Sequence, residues 1–357
     1  MATATERYGD WPLKRLMTEV VGSGHKSAED MSREQAREAM LRIMGEAPDP
    51  TTLGAFWLAN RWKRNTPTEL AAFTDVMMED SVEQAAPAAD PVDCGANYDG
   101  KHTTALLGVG AGVVAAAAGT PVVTHSGDHV PTQKACAYKH VLDELSVTTD
   151  LTPTESADMV DTVGFGFYYQ PRFNPGIDAL YDRRDQMGVR VFVNTIETLA
   201  NPAAADVHLG SFYHLPFAKR IVDTITESET LDIGRVIMFQ GMEGYDDIRP
   251  GSTKVAEWDA TAEDGLIDYD IETPNYGMDF EYDDLEVPDV QADSARLTEE
   301  VLAGDRTDRF ADAIALNAAF RIYARDDVST LEDGLERART AIDDGSAAAT
   351  LEELQAF

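Results

Sequence analysis

Three helix-start signals follow one another within the first 70 residues, and they constrain the N-terminal part of this chain to a helical layer. Ser32 and Gln35 form a capping box ahead of Ala36, Met40, Ile43 and Met44, which share one helical face. Asp49-Pro50 starts a second helix carrying Leu53, Phe56 and Trp57. Thr66-Pro67 with Glu69 starts a third, with Leu70, Phe73, Val76 and Met77 inward. Proline is favoured at a first helical position because an N–H there would have no intrahelical partner. Ala85-Ala-Pro-Ala-Ala-Asp-Pro91 then breaks helix and reads as a linker. Residues 1–85 are therefore expected to form a small domain of three or four helices.

Beyond the linker the pattern changes. Runs rich in Val and Ile at Pro121–Thr124, Val189–Asn194 and Arg235–Gln240 are separated by helical stretches. That alternation predicts parallel strands joined by crossover helices. Thr152-Pro153 with Glu155 opens one of these helices, and Ser329 with Glu332 opens another, which Gly345 ends. The acidic, turn-rich stretch from Asp259 to Asp293 reads as a long surface excursion. The expected class is α/β: a small N-terminal helical domain plus a large domain over 86–357, with a central, mostly parallel sheet flanked by helices. Helices near 176–205 can join the small domain.

Composition narrows the partners. The chain has 357 residues, 43% of them hydrophobic, which suffices for a sizeable core. No apolar run approaches a bilayer span and the start lacks a signal peptide's apolar region, so a cytoplasmic protein without membrane contact is expected. Two cysteines without CxxC spacing, Cys94 and Cys136, argue against a disulfide framework or a structural zinc site. Asp and Glu number 64 against 29 Lys and Arg, a formal net charge of −35. Such a charge repels itself at low ionic strength and is screened within roughly 3 Å in molar salt, which points to a halophilic interior. It also opposes nucleic-acid binding, which needs a basic surface.

Four places carry candidate chemistry. The turn Cys94-Gly-Ala-Asn-Tyr-Asp-Gly-Lys-His-Thr-Thr104 can bring backbone N–H groups to a phosphate. The following Gly108-Val-Gly110-Ala-Gly112 resembles a dinucleotide loop superficially, but reads as a close-packed helix. His125-Ser-Gly-Asp-His129 follows a buried strand, where α/β proteins place ligand contacts; its Gly127 argues for a loop and against a zinc site. Asp246-Asp247, shortly after the strand Arg235–Gln240, suits Mg²⁺, although adjacent acids are common in so acidic a chain. Arg184 could clamp a carboxylate bidentately or make a structural salt bridge.

In order and spacing these features resemble the anthranilate phosphoribosyltransferase family and its relatives, the pyrimidine nucleoside phosphorylases. Trp62-Lys-Arg-Asn-Thr-Pro-Thr-Glu-Leu70 is similar to the family's Lys-Gly-Glu-Thr-Pro-Glu-Glu-Ile turn. Ala116-Ala-Ala-Gly-Thr-Pro-Val-Val-Thr-His125 resembles Ala-Ala-Gly-Val-Pro-Val-Ala-Lys-His-Gly. Val141–Val147, Val163–Phe167, Leu199-Ala-Asn-Pro202 and Gly241–Asp247 resemble further family segments in the same order. The diphosphate turn differs: Gly95-Ala-Asn-Tyr-Asp-Gly100 stands where the family reads Gly-Thr-Gly-Gly-Asp-Gly. The family's Asn, Ser and Thr after that turn fall near Ala105, Leu107 and Gly108.

The resemblance implies joining anthranilate, or a similar aromatic amine or base, to phosphoribosyl pyrophosphate (PRPP) with release of pyrophosphate, a step of tryptophan biosynthesis. It implies PRPP contacts from the turn residues Gly95, Asn97, Asp99 and Gly100 and near His125, with Lys101, Thr103, Thr132 or Lys134 as the residues available to compensate for the family positions this chain lacks; it also implies Mg²⁺ on Asp246 and Asp247 and an acceptor clamp at Arg184. It also implies a homodimer. Two other expectations stay open: a same-fold transferase or phosphorylase with another acceptor, and a non-catalytic metabolite-binding relative.

Overall fold

Helices begin where the capping signals stand. The computed structural model describes residues 12–22, 24, 26–45, 48–95, 100–245 and 247–357. Arg33–Gly45 follows the Ser32/Gln35 box, in which Gln35 Oε1 accepts the Ser32 N–H at 2.9 Å. Pro50–Lys63 is capped by the Asp49 carboxylate, and Pro67–Asp80 by a reciprocal Thr66/Glu69 box. Near the C-terminus the cap lies one residue beyond the expected one: Thr330, not Ser329, accepts the Asp333 N–H and starts Leu331–Asp343.

The large domain is built on a seven-stranded sheet in the order β3-β2-β1-β4-β5-β6-β7. The strands are β1 Val92–Cys94, β2 Val122–Ser126, β3 Phe165–Tyr169, β4 Val207–Phe212, β5 Arg235–Gln240, β6 Ser252–Asp259 and β7 Ile267–Glu272. The first five pair in parallel, while β6 and β7 add antiparallel. The chain winds outward from β1 through β2 to β3, then returns to place β4 on the other side of β1. Strand order therefore reverses at β1, and such a switch point opens a crevice beyond the strand ends.

The buried helix Gly108–Ala117 lies close against this sheet: a Cβ at Gly112 would sit 2.7 Å from the Phe165 ring. The small-residue run is thus a packing device. On its outer side the buried helix Arg309–Ala324 completes the layer.

Two expectations are corrected. Val189–Asn194 is not a strand. Val191, Phe192 and Val193 are buried in the helical layer, Phe192 stacks on Phe73 at 4.2 Å between ring centres, and the Asn194 side chain accepts the Val191 N–H at the start of Val193–Ile196. A short apolar run fits either structure, and burial among helices decided it. The acidic stretch after Asp259 is likewise no mere excursion, because β7 within it pairs with β6 and extends the sheet. The apolar cluster of the helical layer holds Leu53, Phe73 and Met77 together with Ile177, Leu180 and Val193.

Candidate active site

The turns after β1, β4 and β5 follow the C-terminal ends of parallel strands beside the point where strand order reverses. Gly95, directly after β1, has no room for a side chain: a Cβ there would sit 2.1 Å from the Thr198 carbonyl and 2.6 Å from the His208 ring. Gly100 has φ +74°, a left-handed conformation that favours glycine. Asn97 and Asp99 lie outside the described residues, as does Asp246.

Lys101 is buried, which is unusual for a lysine. Its ammonium pairs with the Asp247 carboxylate and donates to the Ala105 carbonyl at 3.0 Å. Asp247 Oδ2 also accepts the Leu107 N–H at 3.4 Å, whereas its buried Oδ1 has no hydrogen-bond partner among the described residues. Two predicted residues thus meet, the turn after β1 supplying the cation and the turn after β5 the anion.

Glu243 plays a part that the sequence did not signal. Its carboxylate accepts the N–H groups of His102 at 2.7 Å and Thr104 at 2.9 Å, and the hydroxyls of Thr103 at 3.0 Å and Thr104 at 2.7 Å. Burial pushes this carboxyl's pKa up, but those donors together with the nearby Lys101 charge hold it below the ordinary value. The same bonds keep Glu243 at φ +51°, which a non-glycine residue rarely adopts. The Thr103 hydroxyl thus faces a carboxylate of the chain itself. Glu243→Gln is expected to lower the urea-unfolding free energy by roughly 1.5–3 kcal/mol, the range for charge-assisted hydrogen bonds. An unchanged midpoint would mean that these bonds do not fix the turn.

His125 lies on β2, not in the loop expected after it. It belongs to a buried chain across three strands: Asp93 Oδ1 meets His125 Nε2 at 3.0 Å, and Asp93 Oδ2 meets His208 Nδ1 at 2.8 Å. Burial would raise the Asp93 pKa, but the two imidazoles hold it down at about 2. Asp93 and His208 were not foreseen. Both sit inside apolar strand runs, where nothing in the sequence marks a polar contact.

Two further expectations meet carboxylates. The Thr132 N–H and the Lys134 ammonium are held by Asp185, at 3.2 and 3.1 Å. Arg184, in the helix Tyr181–Met187, is buried and bound by both guanidinium nitrogens to Glu197, at 2.8 and 2.6 Å. The Gln170 amide supports the same carboxylate at 3.2 Å. The clamp expected for an acceptor's carboxylate is therefore filled from within, and Arg184 makes the structural salt bridge that the sequence left as its other reading.

Among the described residues no helix is long and apolar enough to cross a membrane.

The chain matches two family models: "Glycosyl transferase family, helical bundle domain" over residues 17–81 and "Glycosyl transferase family, a/b domain" over 88–348. It is 33% identical to the anthranilate phosphoribosyltransferase of Methanocorpusculum labreanum, covering 92% of this chain and 94% of that protein. It is 29% identical to that of Haloarcula marismortui, covering 91% and 96%. The structure is similar to the anthranilate phosphoribosyltransferase of Thermus thermophilus, with a TM-score of 0.78 and 25% identity over 92% of this chain and 96% of that one. The Saccharomyces cerevisiae enzyme in complex with PRPP and Mg has the same fold, with a TM-score of 0.76 and 19% identity over 91% and 92%.

Proposed function

Since the chain belongs to the glycosyl transferase family of the anthranilate phosphoribosyltransferases, we propose that it transfers the phosphoribosyl group of PRPP to anthranilate, releasing pyrophosphate, in tryptophan biosynthesis. The observation that carries this reading is the buried pair of Lys101, which follows β1, and Asp247, which follows β5, beyond the C-terminal ends of the parallel strands beside the point where strand order reverses. A diphosphate leaving group gathers negative charge, and a lysine beside a carboxylate able to share a metal suits that need.

The described part of the acidic pair fits Mg²⁺. Asp247 Oδ1 is a buried oxygen without a hydrogen-bond partner among the described residues, and Asp246 adjoins it in the sequence. Mg²⁺ commonly takes one or two carboxylates plus substrate phosphates. When bound it would neutralise charge on the diphosphate. The chain's own groups orient the rest. Lys101 supplies positive charge for the phosphates, Gly95 and Gly100 carry no side chain to keep the donor from the backbone, and the buried Asp93–His125–His208 chain ties the strands beneath them together.

The altered turn shifts this work. Ala105, Leu107 and Gly108 supply no side-chain donors, and Glu243 takes the N–H groups of His102 and Thr104, so Lys101 and the metal carry a larger share. The net charge of −35 supports a halophilic, cytoplasmic setting, and family membership supports a homodimer.

Calorimetry of PRPP in molar KCl tests the donor half of the proposal. Binding is expected with Mg²⁺ and is expected to disappear when the metal is chelated. No heat of binding in the presence of Mg²⁺ would remove the reading.

A further inference from the structure

His208 is only 2% exposed, yet it lines a cavity of about 360 Å³. Its Nδ1 meets the Asp93 carboxylate at 2.8 Å, and its Nε2 has no hydrogen-bond partner among the described residues. Asp93 stays ionised at neutral pH, its carboxyl held at about 2, so it accepts and Nδ1 supplies the hydrogen. A neutral imidazole in that tautomer carries its free lone pair on Nε2. Two glycines flank this far edge of the ring. A Cβ on Gly95 would sit 2.6 Å from Cε1, and one on Gly210 would sit 3.2 Å from Nε2. Neither position has a side chain to cover Nε2, and Gly95 begins the turn that follows β1.

The cavity's wall is mixed, with Arg190, Asn194, Ser211 and Tyr213 beside Phe212 and Met238. The charged or titratable groups around His208 are Asp93 on β1 and His125 on β2 behind it, and Arg61, Arg190, Tyr213 and His214 on the wall. The neighbouring β5 presents Met238 there. Among the described residues no carboxylate lines the cavity, and His214 is exposed and bound to none. His208 is therefore the wall group whose proton-accepting nitrogen a buried anion holds in a fixed direction, the arrangement that orients a general base. Transfer to an arylamine needs such a base. The nitrogen's lone pair forms the bond to C1 of PRPP, the C1–O bond breaks, and its electron pair leaves with pyrophosphate. The nitrogen then stays cationic until one N–H proton departs.

We propose that His208 Nε2 takes the proton that the acceptor's amine sheds, with Asp93 as the positioning residue that fixes the ring and its tautomer. This rests on the transfer reading above. The imidazolium returns the proton to water once the product has left.

His208→Asn separates the base from the scaffold, because an amide N–H takes the place of Nδ1 against Asp93 while Nε2 is removed. Anthranilate consumption with saturating PRPP and Mg²⁺ in molar KCl is followed from about pH 5 to about pH 9 in the parent and in this variant. In the parent, kcat is expected to fall about tenfold per pH unit in acid, where the imidazole is protonated, and to reach a plateau above. In the variant the plateau is expected to lie about 100-fold or more lower, without that acid limb, while KM for PRPP stays within about threefold. Urea unfolding shows whether the variant is folded; if it is not, the parent's own profile decides. A parent profile without an acid limb overturns the proposal. So does a folded variant that keeps the limb, or one whose plateau lies within about threefold of the parent's. A variant equal to an active parent removes this proposal alone. A parent that consumes no anthranilate at any pH removes the transfer reading and, with it, the role of His208.

Discussion

Asp247→Asn is expected to weaken Mg²⁺-dependent PRPP binding by more than about 100-fold, the largest functional effect among single substitutions outside the backbone turns. Two consequences combine in it. The substitution removes an anionic ligand from the metal and leaves the Lys101 ammonium buried without a counter-charge. Breaking a buried ion pair from one side typically costs about 3–5 kcal/mol, so a loss of binding could reflect a loss of fold. The pair of variants Asp247→Asn and Lys101→Met/Asp247→Leu separates the two. Replacing both charges with apolar side chains is often nearly neutral for stability. The double variant should therefore unfold close to the parent's midpoint in urea and still fail to bind PRPP. Retained binding in the double variant would show that Asp247 acts only as the partner of Lys101.

Asp93→Asn is expected to destabilise the chain by about 3 kcal/mol at neutral pH, because Asp93 is the anion shared by His125 and His208 at the centre of the sheet. The dependence on acid has a definite sign. In the folded chain this carboxyl sits at about 2, below its ordinary 3.8, so its contribution is fully present above the ordinary value. It is lost as pH falls from there through about 2, a total of roughly 2 kcal/mol. The stability gap between parent and variant, read from urea unfolding, should therefore narrow steadily below about pH 4. A gap that stays constant down to pH 2 would mean that the carboxylate is not what holds the two imidazoles.

Local signals in the sequence carried most of the architecture. Thr66-Pro67 with Glu69 and Asp49-Pro50 place helix starts because a side-chain cap, a proline and an inward face agree there. The strand Arg235–Gln240 stood where expected, since an apolar run between turn signals is a strong local cue. Val189–Asn194 failed for the opposite reason: a six-residue run with four Val and Phe is too short for its period to decide, and packing against Phe73 decided its conformation. The extension of the sheet by β7 was hidden by charge, because Ile267–Glu272 alternates acidic residues on a largely exposed strand.

The site was legible only in part. Gly95, Gly100, Lys101 and Asp247 could be picked out because glycine and isolated charges at strand ends have few other uses. Their pairing could not, since Lys101 and Asp247 are far apart in the chain and meet through strand order alone. The three carboxylates that settle the local electrostatics were harder still. Glu243, Glu197 and Asp185 are ordinary residues in a chain with 64 acids, and only coordinates distinguish the ones that occupy a donor cluster.

The most direct test of the account is a fluorescence assay of anthranilate consumption by the purified chain in molar KCl, with PRPP and Mg²⁺ added separately and together. The account predicts loss of anthranilate fluorescence only when both are present, with pyrophosphate appearing in equal amount. Folded protein that leaves anthranilate untouched under all of these conditions, while the Thermus thermophilus enzyme consumes it in its own buffer, would contradict the account.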